Sequence, residues 1–302
     1  MSQTKLKSYK HFWPALLLIN ALIVVGCFFH ATESQQQFSL LTLSYVPNDD
    51  SVAHKLDLYR PANSKGPWPV IVWIHGGAWL LGKKEDTPAL GIVNSGYAVA
   101  SINYRLSDQA IFPAQLDDAK AAVRFLRAHA AEYNLKTDKF GAFGMSAGGH
   151  LVALLGTTNG IKDMEGTLGN LDQSSKVQAV CDWCGPTDLM TIAKQGGKKN
   201  KLSLDSPGGC VAKLLGGLPK DKPDLAKRAS AITFVAADNP PILIMHGDSD
   251  DVVPIQQSEE FYKALKAANV KAQFVIVKGA KHNFVTTENL NQAKEFFDRE
   301  LR

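Results

Sequence analysis

A serine flanked by glycines, set between a strand and a helix, leaves the backbone few options. Residues 139–143 (Lys-Phe-Gly-Ala-Phe) read as a short buried strand, and residues 150–155 continue as a helix. Between them lies Gly144-Met145-Ser146-Ala147-Gly148-Gly149. A chain that passes from strand to helix so quickly must turn sharply, which stands the serine Oγ clear of the backbone. A β-carbon at the flanking positions would collide with the neighbouring strand and helix, so glycine is required there. The G-x-S-x-G spacing arises by chance often enough to carry little weight alone. Its setting between these two elements is what constrains the fold.

The rest of the chain alternates strand and helix patterns. Residues 38–46 and 54–60 alternate apolar and polar, and read as antiparallel strands joined through Pro47-Asn48-Asp49-Asp50. Residues 69–75 (Pro-Val-Ile-Val-Trp-Ile-His) and 97–103 are continuous apolar runs, as expected of strands buried on both faces. Residues 113–133 have helical spacing, with Leu116, Ala119, Val123, Leu126 and Ala130 on one face and charges on the other. Further strands are predicted at 177–183, 241–246 and 271–277, and helices at 255–268 and 286–301. Residues 185–240 lack a clear period and read as a small insertion or cap region around the site. This alternation predicts an α/β fold with a doubly wound, mostly parallel sheet. Right-handed crossovers then gather the strand carboxyl ends on one edge, where ligands bind.

Residues 1–31 differ from the remainder. Lys5, Lys7 and Lys10 precede an apolar run over residues 12–29. That is the pattern of an export signal, and its length also approaches the ~20 residues of a membrane span. Val24-Val25-Gly26-Cys27 resembles a bacterial lipobox. A cleaved signal, a lipoprotein signal lipidated at Cys27 and a retained anchor all stay open. Each implies export to the periplasm, the outer surface or the medium, with membrane contact only through this segment. Residues 32–38 read as a linker and 39–302 as the folded domain. The three lysines account for most of the net charge of +4. The folded part is therefore nearly neutral and shows no basic stripe for nucleic acid. Cys181-Asp182-Trp183-Cys184 has C-x-x-C spacing but no second ligand pair, so no metal site is expected. In an exported protein Cys184 and Cys210 are candidates for a disulfide.

A serine hydroxyl needs a base within hydrogen-bond reach to act as a nucleophile. Of eight histidines, His282 in Gly279-Ala280-Lys281-His282 follows the last predicted strand and precedes the last helix. A carboxylate must fix its tautomer. His246-Gly247-Asp248-Ser249-Asp250-Asp251-Val252-Val253-Pro254 offers three, of which Asp250 is the first choice and Asp251 the second. Asp248 reads as a cap of its own turn. The order Ser, Asp, His suits a strand-turn-helix nucleophile. Donors for a developing oxyanion are expected from the N–H groups of Gly77 and Ala78, with Gly76 shaping the turn in His75-Gly76-Gly77-Ala78-Trp79, and from Ala147 after the serine. Trp79 is expected at a pocket wall, and Trp183 either there or in the core. His75 and His150 read as packing residues.

Together with Asn103-Tyr104-Arg105-Leu106, these motifs resemble the α/β-hydrolase family. Within it they resemble the esterases with an H-G-G-x-W loop, such as hormone-sensitive-lipase-like carboxylesterases and bifunctional feruloyl and acetyl xylan esterases. The resemblance implies hydrolysis of small-molecule or polysaccharide-linked esters through an acyl-serine, without a cofactor. The expected activity is that of a serine carboxylesterase on short-chain or aromatic acyl esters. Ala78 departs from the third glycine of the commonest lipase-like loop. The H-G-D-x-D-x-x-V-P motif also resembles prolyl-oligopeptidase-type peptidases, which keeps an exopeptidase open, as does an inactive binding homologue. Acyl specificity and oligomeric state are not legible.

Overall fold

Side chains alternate between two cores along the strand Trp68–Ile74, which is why its sequence is apolar throughout. Val70, Val72 and Ile74 face one core, and Ile71 and Trp73 the other. The computed structural model describes residues 38–62, 64–197, 204 and 206–302. The export segment at 1–31, with Cys27, and nearly all of the linker at 32–38 lie outside the described residues. No helix among the described residues is long and apolar enough to cross a membrane.

Eight strands form one sheet: β1 (Phe38–Ser44), β2 (Lys55–Pro61), β3 (Trp68–Ile74), β4 (Ala98–Ile102), β5 (Leu135–Met145), β6 (Ala179–Trp183), β7 (Ile242–Gly247) and β8 (Ala272–Val277). Their order is β1-β2-β4-β3-β5-β6-β7-β8. β1 and β2 pair antiparallel, as do β2 and β4, and every other pair is parallel. The chain leaves β3 for β4 on one side and leaves β5 for β6 on the other. The carboxyl ends of β3 and β5 therefore flank the point where winding reverses, the usual crevice of such sheets. The serine turn and the glycine loop after residue 75 both open there.

The helix Ala114–Ala128 is followed by a separate turn, Ala130–Tyr133, with the break at His129. Its charged residues do not all face water. Lys120 and Arg124 are buried beneath residues 158–175, which fold over them. Lys120 donates to Thr158 O at 2.9 Å and to Glu165 at 2.7 Å. Arg124 donates to the carbonyls of Gly169, Glu165 and Leu168. The pattern could not show this, because what covers that face is a loop without periodicity.

The described residues of 185–240, expected to form a small insertion or cap around the site, pack largely into a core beside the sheet. Cys210, Val211, Leu214, Leu215, Ala226 and Ala229 join the core that contains Val70 and Ile74. Phe112 N–H donates to Leu214 O, and Leu189 N–H to Ser230 Oγ. The apolar residues of this stretch are thus spent beside the sheet. None of its described residues lines the cavity at Ser146. Cys184 and Cys210 are both buried free thiols, not a disulfide.

The turn after β5 leaves no room for side chains. A β-carbon on Gly148 would stand 1.9 Å from Ile74 O, and one on Gly144 2.4 Å from Gly148 O. Both obstacles are backbone atoms and cannot swing aside. Gly148→Ala is expected to cost at least ~3 kcal/mol, a melting-temperature fall of about 6 °C or more. Gly208→Ala, with nothing within 4 Å, should stay within ~0.5 kcal/mol. Thermal denaturation of both variants checks this; equal melting temperatures would contradict the contact.

Candidate active site

Ser146 has φ 59° and ψ −121°, a conformation costly for a residue with a β-carbon. Two backbone hydrogen bonds hold it. Its N–H donates to Trp183 O at 2.8 Å, and its carbonyl accepts from His150 N–H at 2.9 Å. The hydroxyl is thereby presented at the head of the Ala147–Thr157 helix. Ser146 Oγ lies 2.9 Å from His282 Nε2, and His282 Nδ1 lies 2.8 Å from Asp250 Oδ2. Asp250, the first choice over Asp251, is the carboxylate that reaches His282.

The loops bearing Asp250 and His282 are stitched together. Asp248 N–H donates to Val277 O, and Ser249 N–H to Ala280 O. Asp248 Oδ1 accepts from Gly279 N–H at 2.7 Å. Asp248 thus fastens the His282 loop and does more than cap its own turn. Asp250 Oδ1 accepts from Val252 and Val253 N–H at 2.8 and 3.0 Å. Burial disfavours its charge, but hydrogen bonds from His246, His282 and the Val252 amide prevail. They hold the carboxyl well below the usual carboxylate range. Asp250 is therefore an acceptor over the whole working pH range, as an imidazole partner requires.

The glycine loop sits directly beside the serine. A β-carbon on Gly76 would meet Met145 O at 2.9 Å. Gly77, Ala78 and Trp79 all have positive φ, at 108°, 55° and 59°. Among the described residues, no acceptor takes the N–H of Gly77, Ala78 or Ala147. His75 donates from Nδ1 to Gly76 O at 2.7 Å and stacks on Tyr104 at 4.4 Å. Tyr104 Oη donates to His75 O, and Arg105 grips the buried Asp118 through Nε and Nη2. The Asn-Tyr-Arg motif therefore braces the loop from behind.

Two expected pocket residues lie elsewhere. Trp79 turns inward, is 2% exposed and donates from Nε1 to His150 Nδ1 at 3.1 Å. His150 Nε2–H donates to Ala229 O, and burial pushes its imidazole down to about 4. It is a neutral peg between the loop and the 185–240 segment. Trp183 is fully buried between Phe143 and Phe284. Its contribution to the site is its carbonyl, which accepts from Ser146.

The cavity beside Ser146 has a volume of 410 Å³. Its buried floor is Trp73, whose Nε1 donates to Asp86 O at 2.9 Å. Met145, Pro88 and Val252 form its sides, and Leu81, Asp86, Asn283 and Val285 its exposed rim. None of these was singled out from sequence. Met145 and Asn283 were findable as neighbours of Ser146 and His282, and Trp73 as the last bulky residue on its face of β3. Cys184 Sγ, Asp250 and His282 place their polar atoms within 4.8 Å of one another, but Asp250 and His282 are already engaged with each other.

A mostly parallel sheet that carries a hydrogen-bonded serine, histidine and carboxylate on its carboxyl edge defines an α/β-hydrolase. The chain belongs to the BD-FAE family, whose pattern matches residues 56–265. It is similar to the bifunctional GH43-CE of Bacteroides eggerthii, at 36% identity and a TM-score of 0.80, over 86% of this chain and 38% of that one. It is also similar to a truncated form of carbohydrate esterase from gut microbiota, at 36% identity and a TM-score of 0.79, over 88% and 98% of the two chains. Esterase LipQ of Mycobacterium tuberculosis is 30% identical across 220 residues, 72% of this chain and 50% of LipQ. The chain spans about half the length of the sequence relatives it matches.

One buried carboxyl behind the site has a measurable signature. Asp182 accepts from Gly185 N–H at 2.8 Å, while its Oδ2 has no partner among the described residues. Burial pushes it up to about 6, against the Gly185 hydrogen bond. An unfolded aspartate releases its proton near 3.8. Between these values the native state keeps a proton that the unfolded chain has lost, so stability falls as pH rises from about 4 to about 6. Asp182→Asn keeps the Oδ1 acceptor without the charge. It is expected to match wild type near pH 4 and to exceed it above pH 7 by up to about 3 kcal/mol. Melting curves at the two pH values test this; an equal offset at both would refute the assignment.

Proposed function

We propose that this chain is a serine carboxylesterase. Ser146 attacks the ester carbonyl while His282 Nε2 takes its proton, and Asp250 supports the imidazolium. The N–H groups of Gly77, Ala78 and Ala147 receive the oxyanion, with Gly76 shaping the turn. His282 returns the proton to the departing alcohol, and water then releases the acyl group by the same base. The observation that carries this reading is the unbroken line Ser146 Oγ–His282 Nε2, His282 Nδ1–Asp250 Oδ2. The unpaired amides and an apolar cavity of ordinary ligand size support it.

The substrate class we infer is a short-chain or aromatic acyl ester, including acetyl and feruloyl groups on plant polysaccharides. The similarity to a carbohydrate esterase from gut microbiota supports the polysaccharide reading, and the Trp73 floor suits a small or flat acyl group. We place the domain outside the cytoplasm on the pattern of residues 1–31, as a secreted protein, a lipoprotein attached at Cys27 or an anchored one.

Hydrolysis of p-nitrophenyl acetate is expected to exceed that of an aminoacyl p-nitroanilide by a wide margin. Faster amide turnover would turn the assignment towards a peptidase. Ser146→Ala and His282→Ala should each lower kcat by ~10⁴-fold or more, and Asp250→Asn by ~10³–10⁴-fold. A fluorophosphonate should label Ser146 stoichiometrically; folded protein that resists it would be an inactive homologue.

A further inference from the structure

The carboxylate of Asp250 is shared by two histidines. His282 reaches Oδ2 from the cavity side at 2.8 Å. His246 approaches the same oxygen from the interior, with Nε2 3.1 Å away. His246 is the penultimate residue of β7 and is fully buried. Its Nε2 also lies 3.0 Å from Val253 O, and its Nδ1 lies 2.7 Å from Ser258 Oγ.

These partners settle which nitrogen carries the proton. A carboxylate and a carbonyl both accept, so Nε2 must donate. Nδ1 is then an acceptor for the Ser258 hydroxyl, itself fully buried on the Gln256–Ala267 helix. Ser258 Oγ–H thus donates to His246, whose Nε2–H is bonded to Val253 O and lies beside Asp250 Oδ2 at 3.1 Å. Asp250 needs such a brace because it sits on a loop between β7 and that helix. Amides of Val252 and Val253 hold Oδ1, but they leave the carboxyl plane free to pivot about that oxygen. The His246 Nε2–H, held on Val253 O and 3.1 Å from Oδ2, blocks that pivot and keeps Oδ2 turned to His282.

We propose that His246 is a positioning residue for the proposed esterase reaction: it clamps Asp250 Oδ2 in line with His282 Nδ1, and Ser258 sets its tautomer. It touches neither substrate nor the reacting atoms, and no proton leaves it. The proposal rests on the hydrolase reading of the Ser146 site, and it adds a fourth and a fifth member to the line of groups behind the serine.

The test compares His246→Leu, His246→Gln and Ser258→Ala in the full chain, each alone and combined with Asp250→Asn. Glutamine can place an amide donor where Nε2 stands, whereas leucine cannot. His246→Leu is expected to lower kcat on p-nitrophenyl acetate by about 10²-fold or somewhat less, with KM within about twofold, since a small misplacement costs that much. His246→Gln should recover most of this loss, and Ser258→Ala should lose several-fold. In the Asp250→Asn background none of the three should cost anything further, because they act through the carboxylate. The same cycle is read in the rate of Ser146 labelling by a fluorophosphonate, which does not require the natural substrate. Losses that multiply undiminished in the Asp250→Asn background, or a glutamine variant as slow as the leucine one, would overturn the proposal. Should His246→Leu fail to fold, the Ser258→Ala cycle decides on the same criterion. Labelling that proceeds without ester turnover would sink the esterase reading and still leave the cycle to judge His246.

Discussion

Three strand ends meet at Ser146 with almost nothing but backbone between them. The first turn of the Ala147–Thr157 helix lies against the carbonyl of Ile74 on β3, and Gly76 lies against the carbonyl of Met145 on β5. The carbonyl of Trp183 on β6 ties down the serine amide. The positive φ of Ser146 stores strain of ~1–3 kcal/mol, and this enclosure is what sustains it. The glycine loop passes so close to this turn that Gly76 has no room for a side chain against Met145 O. The unpaired amides of Gly77, Ala78 and Ala147 are then on the same rim as the hydroxyl.

The acid and base arrive on two loops stitched to each other by polar contacts and anchored in the core by Val253 and Phe284. Asp248 and Ser249 fasten the turn after β8 to the turn after β7. A buried carboxylate is costly unless its lone pairs are met, and Asp250 meets this demand with two amides and the His282 imidazole, with His246 Nε2–H close by. The charge is therefore stable where it is and directional towards His282. Asp182, one strand away and equally buried, receives a single amide and behaves oppositely, drifting towards its neutral form. The loop aspartate faces several donors and keeps its charge, whereas the strand aspartate faces one and does not.

The histidines make the same point. His75, His150, His246 and His282 all lie in motifs near the site, but three are buried and held by carbonyls or hydroxyls. Only His282 among these four opens onto the cavity beside the serine. Reading position relative to strand ends was enough to select it, because a base must sit beyond the last strand to reach the nucleophile. Nothing in the local sequence separates His246 from a packing histidine. Its contact with Asp250 is created by the turn of residues 247–253, which carries the aspartate back over the strand it came from.

Along the chain, the legible features are periodic or stereochemical: strands from apolar runs, helices from 3.6-residue spacing, and a sharp turn from glycines around Ser146. The serine, Asp250 and His282 were legible because a parallel sheet sends every strand end to one edge, whatever the strand order. Tertiary structure alone decided the rest. Trp79 became a core residue because the loop bearing it turns inward towards His150, and Trp183 because strand β6 directs it between Phe143 and Phe284. The described apolar residues of 185–240 came to flank the sheet because their side chains found a core there. The charges of Lys120 and Arg124 became internal because a loop without pattern closed over them. Each of these outcomes depends on which segment happens to lie opposite, and a contact between distant segments leaves no periodic trace in either one.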